Sequence, residues 1–104
     1  MLPIDEELKA RLNSETAKLG WPELQRHFAR GVVVVAGEGL DLVEVATRMS
    51  MDDGDSVGQW LAAEKIRRAS EEDARRWVDA DAVFWAVVVA PWVVVQEIAH
   101  KLDS

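Results

Sequence analysis

The stretch "VFWAVVVAPWVVVQEIAHK" (83–101) holds most of the longest apolar run in the chain, 14 residues from Ala82 to Val95, and its reading decides the fold. A helix that crosses a bilayer needs about 20 consecutive apolar residues. This run is shorter and contains Pro91, so it is core material. Phe84 to Ala90 is rich in β-branched and aromatic residues and reads as a central strand. Proline lacks the N–H that a sheet ladder uses, so Pro91 forbids an ordinary continuation in mid-sheet. Beyond it, Trp92, Val95, Ile98 and Leu102 have helical spacing, whereas the three valines favour a strand that bends at the proline. The bent strand is the reading adopted for "WVVVQEI" (92–98).

Upstream, Leu8, Leu12, Thr16 and Leu19 recur at helical spacing, which predicts a helix from Asp5 to about Leu19. Gly20 breaks that pattern, and Pro22 suits the first turn of a second helix ending near Gly31, with Leu24 and Phe28 inward and His27 a further candidate for that side. "VVVVA" (32–36) is β-branched throughout and reads as a strand buried on both faces. "GEG" (37–39) is a turn. Asp41 with Glu44 resembles a capping box opening a helix to about Met51, its inward stripe Leu42, Val45, Ala46 and Met49. Val57, Trp60 and Leu61 mark a further helix, and "KIRRA" (65–69) a short extended piece. Ser70 and Asp73 repeat the capping pattern before a helix carrying Ala74, Trp77 and Val78. The expectation is one α+β domain over residues 1–104, with a small sheet of about three strands covered on one face by four or five helices.

Composition excludes several chemistries. The chain has no cysteine, which removes disulfides, thiolate nucleophiles and Cys-ligated metals, and fits a reducing cytoplasm. The acidic, amphipathic start "MLPIDEELKARLNSE" lacks the basic and apolar regions of a signal peptide. Net charge is −7, and residues 31–64 carry seven acids against one base, Arg48. Such a surface repels phosphate backbones and anionic lipid, so neither nucleic acid nor membrane is expected as a partner.

"DGDSVGQWLAAE" (53–64) has Asp, Asp, Gly and Glu at the first, third, sixth and twelfth positions of a calcium loop. Val57 and Leu61 stand where oxygen ligands are required, and the helical pattern claims the same residues. Asp53, Asp55 and Ser56 read instead as helix-entry residues. His27 and His100 have no second histidine at helical spacing, no serine sits in a nucleophile-elbow context, and adjacent carboxylates such as Glu6 and Glu7 point apart on a helix. No catalytic residue, metal ligand or cofactor is assigned. Arg67 and Arg68, close to the helix opened by Ser70, could meet a small anion, although Glu71, Glu72 and Asp73 already occupy that helix end.

Five tryptophans in 104 residues is an enrichment. Most belong in the core, while one or two suit an interface. The candidate ligand or interface positions are Trp21, Trp60 and Trp92 among the rings, with Glu44, Arg67, Arg68 and Gln96 as polar partners. Two strongly apolar strands in so short a chain must be hidden by its own helices or by a second copy, and a homodimer is carried forward as an expectation.

Three stretches, "LNSETAKLGWPELQRHFARG" (12–31), "LDLVEVA" (40–46) and "WAVVVAPWVVVQ" (85–96), resemble an uncharacterised bacterial family, domain of unknown function 2288. The resemblance spans essentially the whole chain. It implies a small stand-alone bacterial protein, and carries no functional residue with it. The function expected from the residues is a non-catalytic, cytoplasmic interaction or regulatory module that self-associates. The alternative is a small-molecule binder or enzyme with a Trp-lined pocket beside the sheet.

Overall fold

The computed structural model of the chain describes residues 4–98. Its elements run α1 (Ile4–Glu15), β1 (Ala17–Gly20), α2 (Trp21–Ala29), β2 (Val33–Ala36), α3 (Leu42–Ser50), α4 (Gly54–Ala62), β3 (Ile66–Arg68), α5 (Glu71–Ala80), β4 (Val83–Val89) and β5 (Trp92–Glu97). The strands form one mixed sheet in the order β1-β4-β5-β2-β3. β2 and β5 are parallel, and every other neighbouring pair is antiparallel.

Successive residues on a strand point to opposite faces. The unbroken valines of β2 and β5 therefore demand cover on both sides, and the fold supplies it within one chain. On one face Val34, Val87 and Val94 pack with Leu12 of α1 and with Leu42, Val45 and Ala46 of α3. On the other, Val33, Val35, Val93 and Val95 pack with Trp21 and Leu24 of α2 and Trp77 of α5. Burying one such side chain contributes about 1.5–3 kcal/mol relative to leaving it exposed. The expectation of helices on one face is thus corrected: the sheet is the middle of three layers. The second face is also the aromatic one. Trp77 meets Phe84 edge-on at 4.8 Å between centroids, and Trp21 lies 5.9 Å from Trp77.

The sheet has five strands rather than about three, for two local reasons. First, the predicted helix over 5–19 stops at Glu15. Thr16 closes its last turn, its Oγ1 donating to the Leu12 carbonyl at 2.8 Å and its amide to the Asn13 carbonyl. Ala17–Gly20 then pairs with β4, from Ala17 opposite Ala86 to Gly20 opposite Val83. Tertiary pairing overrides a helical spacing carried only by Thr16 and Leu19. Second, the chain does not bend at Pro91 but reverses there. The Ala90–Pro91 peptide is cis, and Val89 faces Trp92 across an antiparallel hairpin. One bent strand becomes two.

The helix caps follow the sequence signals closely. Ser70 and Asp73 form a reciprocal capping box on α5, and the Asp41 carboxylate accepts from the Val43 and Glu44 amides on α3. Gly20 precedes α2, where its amide donates to Glu23 Oε1 at 2.8 Å. Of the apolar residues that mark these helices, Leu61 on α4 is 51% exposed and Val78 on α5 is 55% exposed, so neither belongs to the core. No helix among the described residues is long and apolar enough to cross a membrane. His100 and Leu102 lie outside the described residues.

Candidate functional site

β2 and β5 end side by side, and the chain leaves β2 through Gly37–Leu40 to enter α3. In open α/β sheets the carboxyl ends of parallel strands, where connections diverge, are the usual ligand position. A hollow of about 680 Å³ opens here. Its lining combines the 37–40 turn with Arg67 of β3, Trp85 of β4, and Gln96, Glu97 and Ile98 at the end of β5.

The hollow is shaped by hydrogen bonds set within the protein. The Leu40 amide donates to the Gly37 carbonyl at 3.2 Å, closing a turn in which Gly39 has φ +94°, a conformation that glycine accepts freely. Gly37 donates to the Lys65 carbonyl at 2.8 Å, and a Cβ there would come within 3.1 Å of that same oxygen. Gln96 fastens the turn to the sheet: its Nε2 donates to the Gly37 carbonyl at 2.9 Å and the Leu40 carbonyl at 2.7 Å. The turn is thereby held beside β5 without a ligand.

Below it lies a charged network. Arg67 donates through both terminal nitrogens to Asp73, Nη2 reaching Oδ1 at 3.0 Å. Asp73 also accepts from the Ser70 amide at 2.8 Å, the Ser70 hydroxyl at 3.1 Å and Arg76 at 3.2 Å. Burial opposes the charge of Asp73, but the Arg67 and Ser70 hydrogen bonds outweigh it and hold the carboxyl well below the usual range. Arg76 continues to Glu97 Oε1 at 3.4 Å, and the Trp77 indole N–H donates to the same oxygen at 3.2 Å. One guanidinium of the lining is thus neutralised by its own carboxylate, and the carboxylate of Glu97 is held in place by two donors.

Trp85 is 42% exposed, faces Gln96 across the β4–β5 ladder, and has Lys18 Nζ 5.5 Å from its ring centroid.

Of the predicted positions, the structure brings only Arg67 and Gln96 together at this hollow. Arg68 and Trp92 form a separate pair: the guanidinium lies 5.6 Å from the Trp92 ring centroid and donates to the Gly31 carbonyl at 2.6 Å. Trp92 also borders a smaller depression with Met49 and Val57. Trp21 is core, and Trp60 packs half-buried from α4. Glu44 joins α1 to α3 through Lys9 at 2.8 Å and Arg48 at 2.8 Å, contacts that lower its pKa in that order. The acidic stretch 53–64 is α4 with its flanks. Asp53 caps that helix, accepting from the Ser56 amide and hydroxyl, and Glu64 stands beyond the far end. Nine helical residues separate their ends by about 13 Å. Among the described residues no three His, Asp or Glu side chains converge as a metal site.

The family described as "Protein of unknown function (DUF2288)" matches residues 7–97, from α1 to the end of β5. The chain belongs to DUF2288. The NMR solution structure of PA1075 from Pseudomonas aeruginosa is similar to it at 42% sequence identity. That likeness covers 100% of this chain and 96% of the other, with a TM-score of 0.80. None of the curated proteins matches. All of the hollow's lining except Ile98 falls inside the span that places the chain in DUF2288.

The residues that sequence reasoning missed in this DUF2288 chain are Trp85, Glu38 and Glu97. A signal for Trp85 existed. Had Pro91 been read as a hairpin turn, pairing Val89 with Trp92 would have set Trp85 opposite Gln96 by counting back along both strands. Nothing in the sequence shows that α1 and α3 leave that end of β4 uncovered.

Proposed function

We propose that this DUF2288 domain binds a small molecule in the hollow at the carboxyl ends of β2 and β5. The observation that carries this reading is Gln96, whose two N–H groups hold the 37–40 turn and so keep a space of about 680 Å³ formed beside Trp85. Ligand cavities of small-molecule sites span about 300–1,000 Å³ and are largely preformed. The aromatic wall is Trp85, in place of the three rings expected from sequence. The cysteine-free chain suits a reducing compartment such as the cytoplasm, and the similar Pseudomonas aeruginosa structure favours a bacterial source.

Native mass spectrometry on protein purified gently from its own host tests the reading, together with thermal denaturation against a metabolite library. The expected results are an added mass on the 11.6 kDa chain, and a compound whose stabilisation is lost in Trp85→Ala. An unadorned chain that no compound stabilises would sink the reading.

Self-association is the second reading, favoured by a different feature. Strand β1 lies at the sheet edge, its outer side unpaired among the described residues, and Val88 of the adjacent β4 is 58% exposed. Unpaired edges are templates for strand addition. The burial demand of β2 and β5 no longer argues for a dimer, because helices cover both faces within the chain. Sedimentation equilibrium decides: a species at a multiple of 11.6 kDa that Lys18→Pro returns to monomer supports pairing through β1.

A further inference from the structure

Resting on the small-molecule reading above, we infer that the ligand is a small organic cation, an amine with a flat apolar body. The inference comes from counting which hydrogen-bonding capacity in the lining is already used. Gln96 spends both amide hydrogens on the Gly37 and Leu40 carbonyls, so what it still offers is the acceptor Oε1. Glu97 receives Arg76 and Trp77 on Oε1 alone, and among the described residues nothing donates to Oε2. Glu38, at the exposed tip of the turn, makes no ion pair among the described residues and adds a second carboxylate. The one cation of the lining, Arg67, is engaged bidentately by Asp73.

Among the described residues the lining thus keeps three unfilled acceptors, Gln96 Oε1, Glu97 Oε2 and the Glu38 carboxylate, and since Arg67 and Arg76 balance Asp73 and Glu97, the charge left over is that of Glu38. A ligand rich in donors satisfies such a site, whereas a carboxylate or phosphate would leave Glu38 and Glu97 facing like charge. The apolar part of the lining agrees. Trp85, Leu40 and Ile98 supply surface for a flat body. The net charge of −7 draws cations towards the whole molecule.

The fixed position of Glu97 strengthens the argument. Two N–H groups, one from the buried Trp77, set the orientation of its carboxylate before any ligand arrives. Little ordering is then left for binding to impose.

The test is backbone amide NMR at low salt and neutral pH with three probes of matched shape: tryptamine, 3-methylindole and indole-3-propionate. Tryptamine is expected to shift the signals of Gly37, Glu38, Gly39, Leu40 and Glu97 and the Trp85 indole N–H. The neutral and anionic probes are expected to leave them nearly in place. Glu97→Gln keeps an oxygen for the Trp77 indole and removes the charge, and should weaken tryptamine about tenfold. Glu38→Gln, on an exposed turn where the fold is not at risk, should weaken it about threefold. If indole-3-propionate moves these signals as strongly as tryptamine, or if both variants bind tryptamine as the wild type does, the cation assignment is wrong while the hollow stands as a site. If none of the three probes moves them, the assignment of a flat amine is wrong, and the small-molecule reading falls with it only if the native mass and the metabolite library are also blank.

Discussion

Gln96 and Leu40 stand 56 residues apart in sequence, yet the Gln96 amide donates to the Leu40 carbonyl at 2.7 Å and ties the turn leaving β2 to the end of β5. The same nitrogen reaches the Gly37 carbonyl at 2.9 Å, so one side chain satisfies both ends of the turn. Gln96→Glu keeps the size and removes both donors, setting a carboxylate against two carbonyl oxygens. The expected loss of stability is about 2 kcal/mol, seen as a lower urea midpoint with an unchanged slope. A variant as stable as the wild type would mean that the turn holds its place without Gln96.

Asp73 is the most heavily used polar side chain, buried at the start of α5 and met by Arg67, Arg76 and Ser70. Asp73→Asn leaves Arg67 without its carboxylate and Arg76 with Glu97 alone. Arg67 and Arg76 are half-exposed and recover some solvation, so the expected cost is about 2 kcal/mol rather than the larger loss of a fully buried pair. Arg67→Lys, which cannot make the two-pronged contact, should cost less than Asp73→Asn but more than Arg75→Lys at an exposed position.

Acid unfolding follows from the same carboxylates. Asp73 and Glu44 both have native pKa values below the ordinary ones, and unfolded carboxylates titrate near pH 4. A depressed native pKa contributes stability that is present above the unfolded value and lost as pH falls through the native one. Melting temperature should therefore change little from these groups between about pH 7 and 5, then drop steeply below about pH 4. In Asp73→Asn the drop should be shallower, because that site no longer takes up a proton on unfolding. A slope identical to wild type would remove Asp73 from the explanation.

Gly37 and Gly39 separate two kinds of glycine requirement within one turn. Gly39→Ala places a methyl in open space but forces a positive φ on alanine, at a cost of about 1 kcal/mol. Gly37→Ala meets the Lys65 backbone oxygen at 3.1 Å, which the β2–β3 connection must yield to accommodate. Gly37→Ala should also alter the hollow, visible as shifted amide signals at Lys65 and Gln96. Gly39→Ala should leave those signals unmoved.

Leu24 and Leu61 test the layer assignment. Leu24 is fully buried beneath the α2 face, and Leu61 lies largely in solvent on α4. Leu24→Ala should cost about 2–5 kcal/mol and Leu61→Ala less than about 0.5 kcal/mol. Comparable losses at both positions would mean that α4 buries Leu61 against something further.

Local chemistry was readable where it acts over a few residues. The caps at Asp41 and Ser70, Pro22 in the first turn of α2, and the β-branched run of β2 each announce an element through contacts within three or four positions. The exposure of Leu61 was not readable, because helical spacing names a stripe but not how far the opposing layer extends beneath it. Arg67 and Gln96 were reached as polar residues near strand ends, without any indication that they would meet.

The order of residues alone establishes a packed core, two strands apolar on both faces, and the absence of disulfide or thiolate chemistry. These follow from composition and from the period of two along a strand. The folded chain adds the reversal at Pro91, the cover of one face by α1 and α3 and of the other by α2 and α5, and the meeting of Trp85, Gln96 and Glu97 around one hollow. The reason is physical: strand order and register depend on pairing between segments tens of residues apart. The energy of that pairing is spread over whole ladders, and no short stretch of the chain contains it.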